Sequence, residues 1–207
     1  MPTMIRLSCC AQLVFLLSSF TNAGTFHSSP SPPPPAPPCT VAMLKARPAG
    51  DKNWPIACSH ATLGDANSEL DLSGAHLSYG DFEEATFQGK ERIIFGAGLG
   101  HADLSGSKFT ASSDASARID FAGADLTNAD LSGSKLTADG NYESTIDFRD
   151  ANLNHANLSG SELTAKGEKY GYIYFDEANL DHADLSGSKF TAEGGDNVGV
   201  ISFAGAN

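Results

Sequence analysis

Large apolar residues recur every five positions along most of this chain. In the stretch Ile119 to Arg149, read as IDFAG ADLTN ADLSG SKLTA, then DGNYEST, then IDFRD, they fall at Phe121, Leu126, Leu131 and Leu136. Two positions before each stands a second inward candidate, in turn Ile119, Ala124, Ala129 and Ser134. A helix would space its apolar residues three and four apart, and a plain strand would alternate without resetting. The observed period predicts a short extended segment with two inward positions, a sharp corner, and then the same again. Four such sides return the chain to its starting direction, so the pattern predicts a coil.

The series recurs before and after this stretch. It begins with Leu72, Leu77, Phe82 and Phe87, then Phe95, Leu99, Leu104 and Phe109. After the central copy come Phe148, Leu153, Leu158 and Leu163, then Phe175, Leu180, Leu185 and Phe190, with Phe203 opening a further round. Coils stacked at the strand spacing of about 4.7 to 4.9 Å would place these residues in columns up a narrow interior. A narrow tube admits one large residue per side beside a small one, hence Leu or Phe beside Ala75, Gly80, Ala85 or Ser134. The flanking polar residues, such as Asp125 and Thr127, must then point outward. Phe95 to Leu99 is one residue short, which predicts a local distortion accommodated by Gly96 and Gly98. Gly106, Gly133, Gly160 and Gly187 share one place in the repeat, which predicts a corner with positive φ.

One corner is longer than the others. Phe109 to Phe121, Leu136 to Phe148 and Leu163 to Phe175 are each twelve apart, and Phe190 to Phe203 is thirteen. The inserts SSDASAR, DGNYEST, KGEKYGY and EGGDNVGV are expected as loops stacked along one edge. Tyr142, Tyr170 and Tyr172 are concentrated there, which makes them the candidate partner-binding residues, since recognition surfaces favour tyrosine.

The tandem A-D/N-L-x-x units resemble the pentapeptide-repeat family over Leu70 to the C-terminus. The resemblance implies an all-β right-handed quadrilateral parallel β-helix, here with stacked loop insertions at one corner. It implies little about activity, because function resides in sites and not in the fold. Some bacterial members that it brings to mind are acidic rods that mimic DNA.

Residues 1–23 read as a secretory signal, with Arg6 in a positive n-region, an apolar core from Leu13 to Phe20, and Thr21-Asn22-Ala23 as a cleavage site. Its removal would take Cys9 and Cys10. Residues 24–38 form a Pro-rich linker whose run SSPSPPPPAPP is similar to hydroxyproline-rich segments of plant and green-algal extracellular glycoproteins. Residues 39–65, with Trp54, lack either period and are expected to cap the first coil. The solenoid is expected over 66–207, C-terminally incomplete because its final FAGAN opens a coil and stops. Cys39 and Cys58 remain as an even pair in an oxidising compartment and are expected to form a disulfide. The expected location is extracellular, with the chloroplast thylakoid lumen as the alternative.

From residue 59 onward, 24 acids face 9 Lys and Arg, a net charge of −15, which argues against nucleic acid or an anionic membrane as partner. There is no nucleophile motif, phosphate loop or zinc spacing, so no enzyme and no cofactor are expected. His101, Asn128, His155 and His182 fall in one corner column, and His155 with His182 is the candidate metal pair. Asp103, Asp130, Asn157 and Asp184 form an acidic column, and Thr110, Thr137, Thr164 and Thr191 a threonine column. Asn157 heads a glycosylation sequon, Asn157-Leu158-Ser159. The expectation is therefore a non-enzymatic module that binds a protein or glycan, or scaffolds, through its corner loops. The alternatives are a structural extracellular component, or an acidic DNA-mimic rod or metal-binding surface.

Overall fold

The computed structural model describes residues 39–48, 56–96, 98–195 and 198–207. The expected signal, the Pro-rich linker and Trp54 lie outside the described residues.

The chain is an all-β solenoid of parallel strands. The first sheet contains β1 (Thr62–Asp65), β3 (Thr86–Lys90), β5 (Lys108–Ser113), β7 (Lys135–Gly140), β9 (Glu162–Gly167) and β11 (Lys189–Gly194), hydrogen-bonded in that order. The second contains β2 (Leu70–Asp71), β4 (Arg92–Ile94), β6 (Ser116–Asp120), β8 (Glu143–Asp147), β10 (Tyr170–Tyr174) and β12 (Val198–Ser202), also in order. Single-residue parallel bridges make the other two sides, one through His76, Gly98, Asp125, Asn152 and Asn179, the other through Ala57, Asp81, Asp103, Asp130, Asn157 and Asp184. The first strand begins inside the segment read as cap, since Thr62 to Asp65 pair with Thr86 to Gly89.

Ordinary turns make three of the corners. Ala124, Ala129 and Ser134 donate their N–H groups to the carbonyls of Phe121, Leu126 and Leu131 at 3.0, 2.9 and 3.1 Å. The third residue of each turn has positive φ, 66° at Gly123, 56° at Asn128 and 63° at Gly133, as a type II turn requires. Gly106, Gly160 and Gly187 repeat the last of these at 64°, 66° and 67°, matching the expected corner.

The core is one side chain wide. Phe95, Phe121, Phe148, Phe175 and Phe203 form a column with centroids 4.5, 4.8, 4.9 and 4.8 Å apart and ring planes within 3°. That repeat is the strand spacing itself, so ring stacking and backbone pairing share one rise. From Leu72 to Phe175 every residue of the predicted ladder is buried. Leu180, Leu185 and Phe190 are half-buried and Phe203 is 41% exposed, because no further coil among the described residues stacks upon them. Over the first coil lies a short helix, α1 (Val41–Ala46), whose Leu44 is buried. Buried Arg47 follows it and donates to the carbonyls of His76 and Ser78, each at 2.7 Å. Cys39 and Cys58 are bridged, with Cα atoms 5.5 Å apart.

The long corner differs from expectation. Its inserts are largely strand and not loop: β5, β7 and β9 run straight out of the tube, turn over two residues, and return as β6, β8 and β10, while β11 and β12 stack on β9 and β10. The two sheets therefore project beyond the tube as a flat wing of stacked β-arches. Alternation continues through it, but the inward residues are small: Ala111, Ala138, Ala165, Ala117, Ser144, Gly140, Gly167 and Gly171 are all buried. A Cβ added at Gly171 would lie 2.3 Å from the Glu193 carbonyl oxygen and 2.6 Å from that of Ala165. The Ser144 hydroxyl donates to the Lys166 carbonyl of the opposite sheet at 2.6 Å. The wing is thus two backbones in contact, with almost no side chain between them.

Candidate recognition face on the second sheet

In β10 the side chains alternate, Gly171 and Ile173 inward, Tyr170, Tyr172 and Tyr174 outward. The register sets these tyrosines beside Glu143, Thr145 and Asp147 of β8, which in turn lie beside Ser116, Arg118 and Asp120 of β6. Arg92 of β4 lies next to Arg118. Tyr142, at the arch tip preceding β8, completes the row. Ring centroids are 5.7 Å apart for Tyr142 and Tyr170, 6.0 Å for Tyr170 and Tyr172, and 5.3 Å for Tyr172 and Tyr174. Cations close both ends: Lys169 Nζ lies 5.1 Å from the Tyr142 ring centre, and the Arg149 guanidinium 5.1 Å from that of Tyr174.

Beside the aromatic row runs an ionic ladder. Asp147, whose side chain is fully buried, receives Arg118 Nη2 at 2.5 Å and Arg149 Nε at 2.9 Å. Arg118 Nε also reaches Asp120 at 3.0 Å, and Arg92 reaches the same carboxylate at 3.5 Å. Burial works against the Asp147 charge, but hydrogen bonds from Arg149 and the charges of both arginines outweigh it and hold the carboxyl below the usual range. The Arg149 guanidinium is held above its ordinary value, chiefly by its hydrogen bond to Asp147. Desolvation, and after it the Glu143 carboxylate and neighbouring tyrosines, push the Tyr172 hydroxyl up. The arrangement is an outward row of aromatic rings flanked by arginines held on carboxylates.

All three predicted tyrosines therefore meet, Tyr170 and Tyr172 on a strand face and Tyr142 at the arch tip beside it. Tyr174 escaped the sequence reading because it lies outside the insert. The ladder escaped because its members come from three coils. His155 and His182 do meet, but their rings stack 4.7 Å apart at 16°, so their nitrogens do not converge on a shared ion. Their φ values of 57°, with 56° at Asn128 and 60° at His101, give the column another explanation: it is the left-handed turn position, where Asn and His are enriched. Among the described residues no three His, Cys, Asp or Glu are grouped to hold a metal. The acidic column is also a turn device, for Asp103, Asp130, Asn157 and Asp184 accept the N–H of the serine two residues on at 3.0, 2.8, 3.0 and 2.8 Å. Asn157, the sequon residue, is half-buried. Thr110, Thr137, Thr164 and Thr191 form one row across the first sheet.

The family model described as Pentapeptide repeats matches residues 117–138 and 146–165, in eight copies. These two stretches of the central coils are thus similar to pentapeptide repeats. Pentapeptide-repeat proteins also stand among the similar solved structures. Rfr23 from the cyanobacterium Cyanothece 51142 is 22% identical, over 69% of this chain and 67% of that one, with a TM-score of 0.21. HetL from the cyanobacterium Nostoc sp. strain PCC 7120, a pentapeptide-repeat protein involved in heterocyst differentiation regulation, is 21% identical over 67% and 87%, with a TM-score of 0.22. No curated protein matches the chain. The fold assignment itself rests on the strand register and ring columns described above.

Proposed function

We propose that this pentapeptide-repeat chain is a non-enzymatic recognition module that engages a protein partner through the outer face of its second sheet. One observation carries the reading: of the five tyrosines and five arginines in the sequence, Tyr142, Tyr170, Tyr172, Tyr174, Arg92, Arg118 and Arg149 all lie on this face. Tyrosine and arginine are the residues that most often carry binding energy at protein interfaces, while the rest of this body is strongly acidic. The face is also pre-organised. Its strands are fixed by the parallel ladder and its arginines by carboxylates, so little side-chain entropy is left to lose on binding. The Cys39–Cys58 bridge supports an oxidising compartment and hence an extracellular module.

The test is affinity capture with immobilised protein, comparing Tyr170→Ser/Tyr172→Ser with a first-sheet variant, Thr137→Ala/Thr164→Ala. Each tyrosine should be worth about 2 kcal/mol or more, roughly thirtyfold in Kd. The tyrosine variant should lose the partner and the threonine variant keep it. The opposite result moves the site to the first sheet. A partner released by free oligosaccharide would make the ligand a glycan.

A further inference from the structure

We propose that Tyr142 and Tyr170 are a site of oxidative cross-linking, at which a one-electron oxidant joins neighbouring coils through a dityrosine bond. This does not require that the face bind any partner.

The two residues belong to different coils and are held together by backbone. The Tyr142 carbonyl accepts both the Lys169 and the Tyr170 N–H groups, each at 3.1 Å. Their rings are in edge-to-face contact at 5.7 Å and 74°. Tyr142 is 46% exposed at the arch tip, where an oxidant reaches it. Tyr170 and Tyr172, by contrast, lie two residues apart on one rigid strand, with ring centroids 6.0 Å apart. The contact of Tyr142 with Tyr170 therefore needs only a rotamer-scale movement to become a bond. Holding two reacting groups in this way replaces a bimolecular encounter by an intramolecular step.

The chemistry balances with a peroxidase-type oxidant. Each phenol gives up one electron and one proton, and the two phenoxyl radicals couple between ring carbons ortho to the hydroxyls. Loss of the two ring protons to the phenoxyl oxygens restores both aromatic systems. Hydrogen peroxide is the terminal acceptor and leaves as two waters. The product is a second covalent tie in a chain that already carries a disulfide, placed at the wing tip, where only a short turn joins the sheets.

The experiment treats the purified full chain, dilute and folded, with hydrogen peroxide and a haem peroxidase. Expected is dityrosine fluorescence, a monomer on a denaturing gel, a mass lower by two hydrogens, and one cross-linked peptide containing Tyr142 and Tyr170. Tyr142→Phe and Tyr170→Phe keep the rings and should each lose this product, while Tyr79→Phe, on another side of the tube, should keep it. A bond between other tyrosines, dimers as the main product, or oxidation without coupling would each overturn the proposal.

Discussion

Gly171→Ala tests the wing most directly, because ordinary reasoning gives its effect the opposite sign. Gly171 lies in a strand without positive φ, where replacing Gly by Ala usually stabilises by about 0.4 to 1 kcal/mol through the unfolded chain. Here the new methyl would meet the carbonyl oxygens of Glu193 and Ala165 at 2.3 and 2.6 Å and the Glu193 nitrogen at 2.6 Å. All three are backbone atoms of the facing sheet, so no side chain can move aside and the sheets must separate. Forcing a methylene into a filled interior costs about 1 to 3 kcal/mol, and contact with backbone puts this site toward the upper end. Setting the entropy gain against it leaves a loss of about 2 kcal/mol, or some 4 to 8 °C in Tm for a body of this size. Thermal and urea unfolding would read it, and hydrogen exchange should place the loosened amides in the wing. If Gly171→Ala melts at or above the wild type, the sheets are not in backbone contact and the description of the wing is wrong.

Further outcomes are expected elsewhere. Leu131→Ala, which opens a gap in the column between Leu104 and Leu158, should cost about 2 to 5 kcal/mol in denaturant unfolding. Asp147→Asn leaves Arg118 and Arg149 without their shared carboxylate and should lower stability by about 3 kcal/mol near neutral pH. Because Asp147 is held below its ordinary value, its contribution is full above about pH 4 and fades as the pH falls through the depressed value, so the variant should show a shallower acid limb in Tm against pH. Cys58→Ser should remove about 3 kcal/mol by releasing a 19-residue span, and peptide mapping without reductant should show Cys39 joined to Cys58 in the wild type.

The coil was legible because its signal is a large residue at a fixed interval: Phe121, Leu126 and Leu131 cannot be missed, and each is buried as read. The wing was not legible, although most of its strands alternate buried and more open positions. In KLTADG and ESTID the inward residues between Leu136 and Ile146 are Ala138, Gly140 and Ser144, and small residues do not register as a hydrophobic face. What marked the inserts was varying content, and that alone reads as loop. The histidine column was seen, and His155 with His182 was read as a candidate metal pair, but its backbone gives the column another explanation. Asn128 in the same column held the clue, since Asn and His share tolerance of left-handed backbone rather than affinity for metal. Tyr172 was found by composition. Tyr174 required the register, and the Asp147 ladder required a lateral neighbour that no single repeat contains.

Phe121, Phe148 and Phe175 are 27 residues apart, and their rings stack with planes 2° and 1° from parallel. A coil of that length presents the same upper and lower surface as its neighbours. Duplicating or excising one whole coil would therefore keep the interior columns in phase, and even the side shortened by one residue between Phe95 and Leu99 leaves the later columns aligned. The rod can change length by recombination in steps of about 4.8 Å, the strand spacing, without refitting anything. Selection on such a molecule can act on reach and on surface chemistry separately, because the interior is indifferent to how many times it is copied.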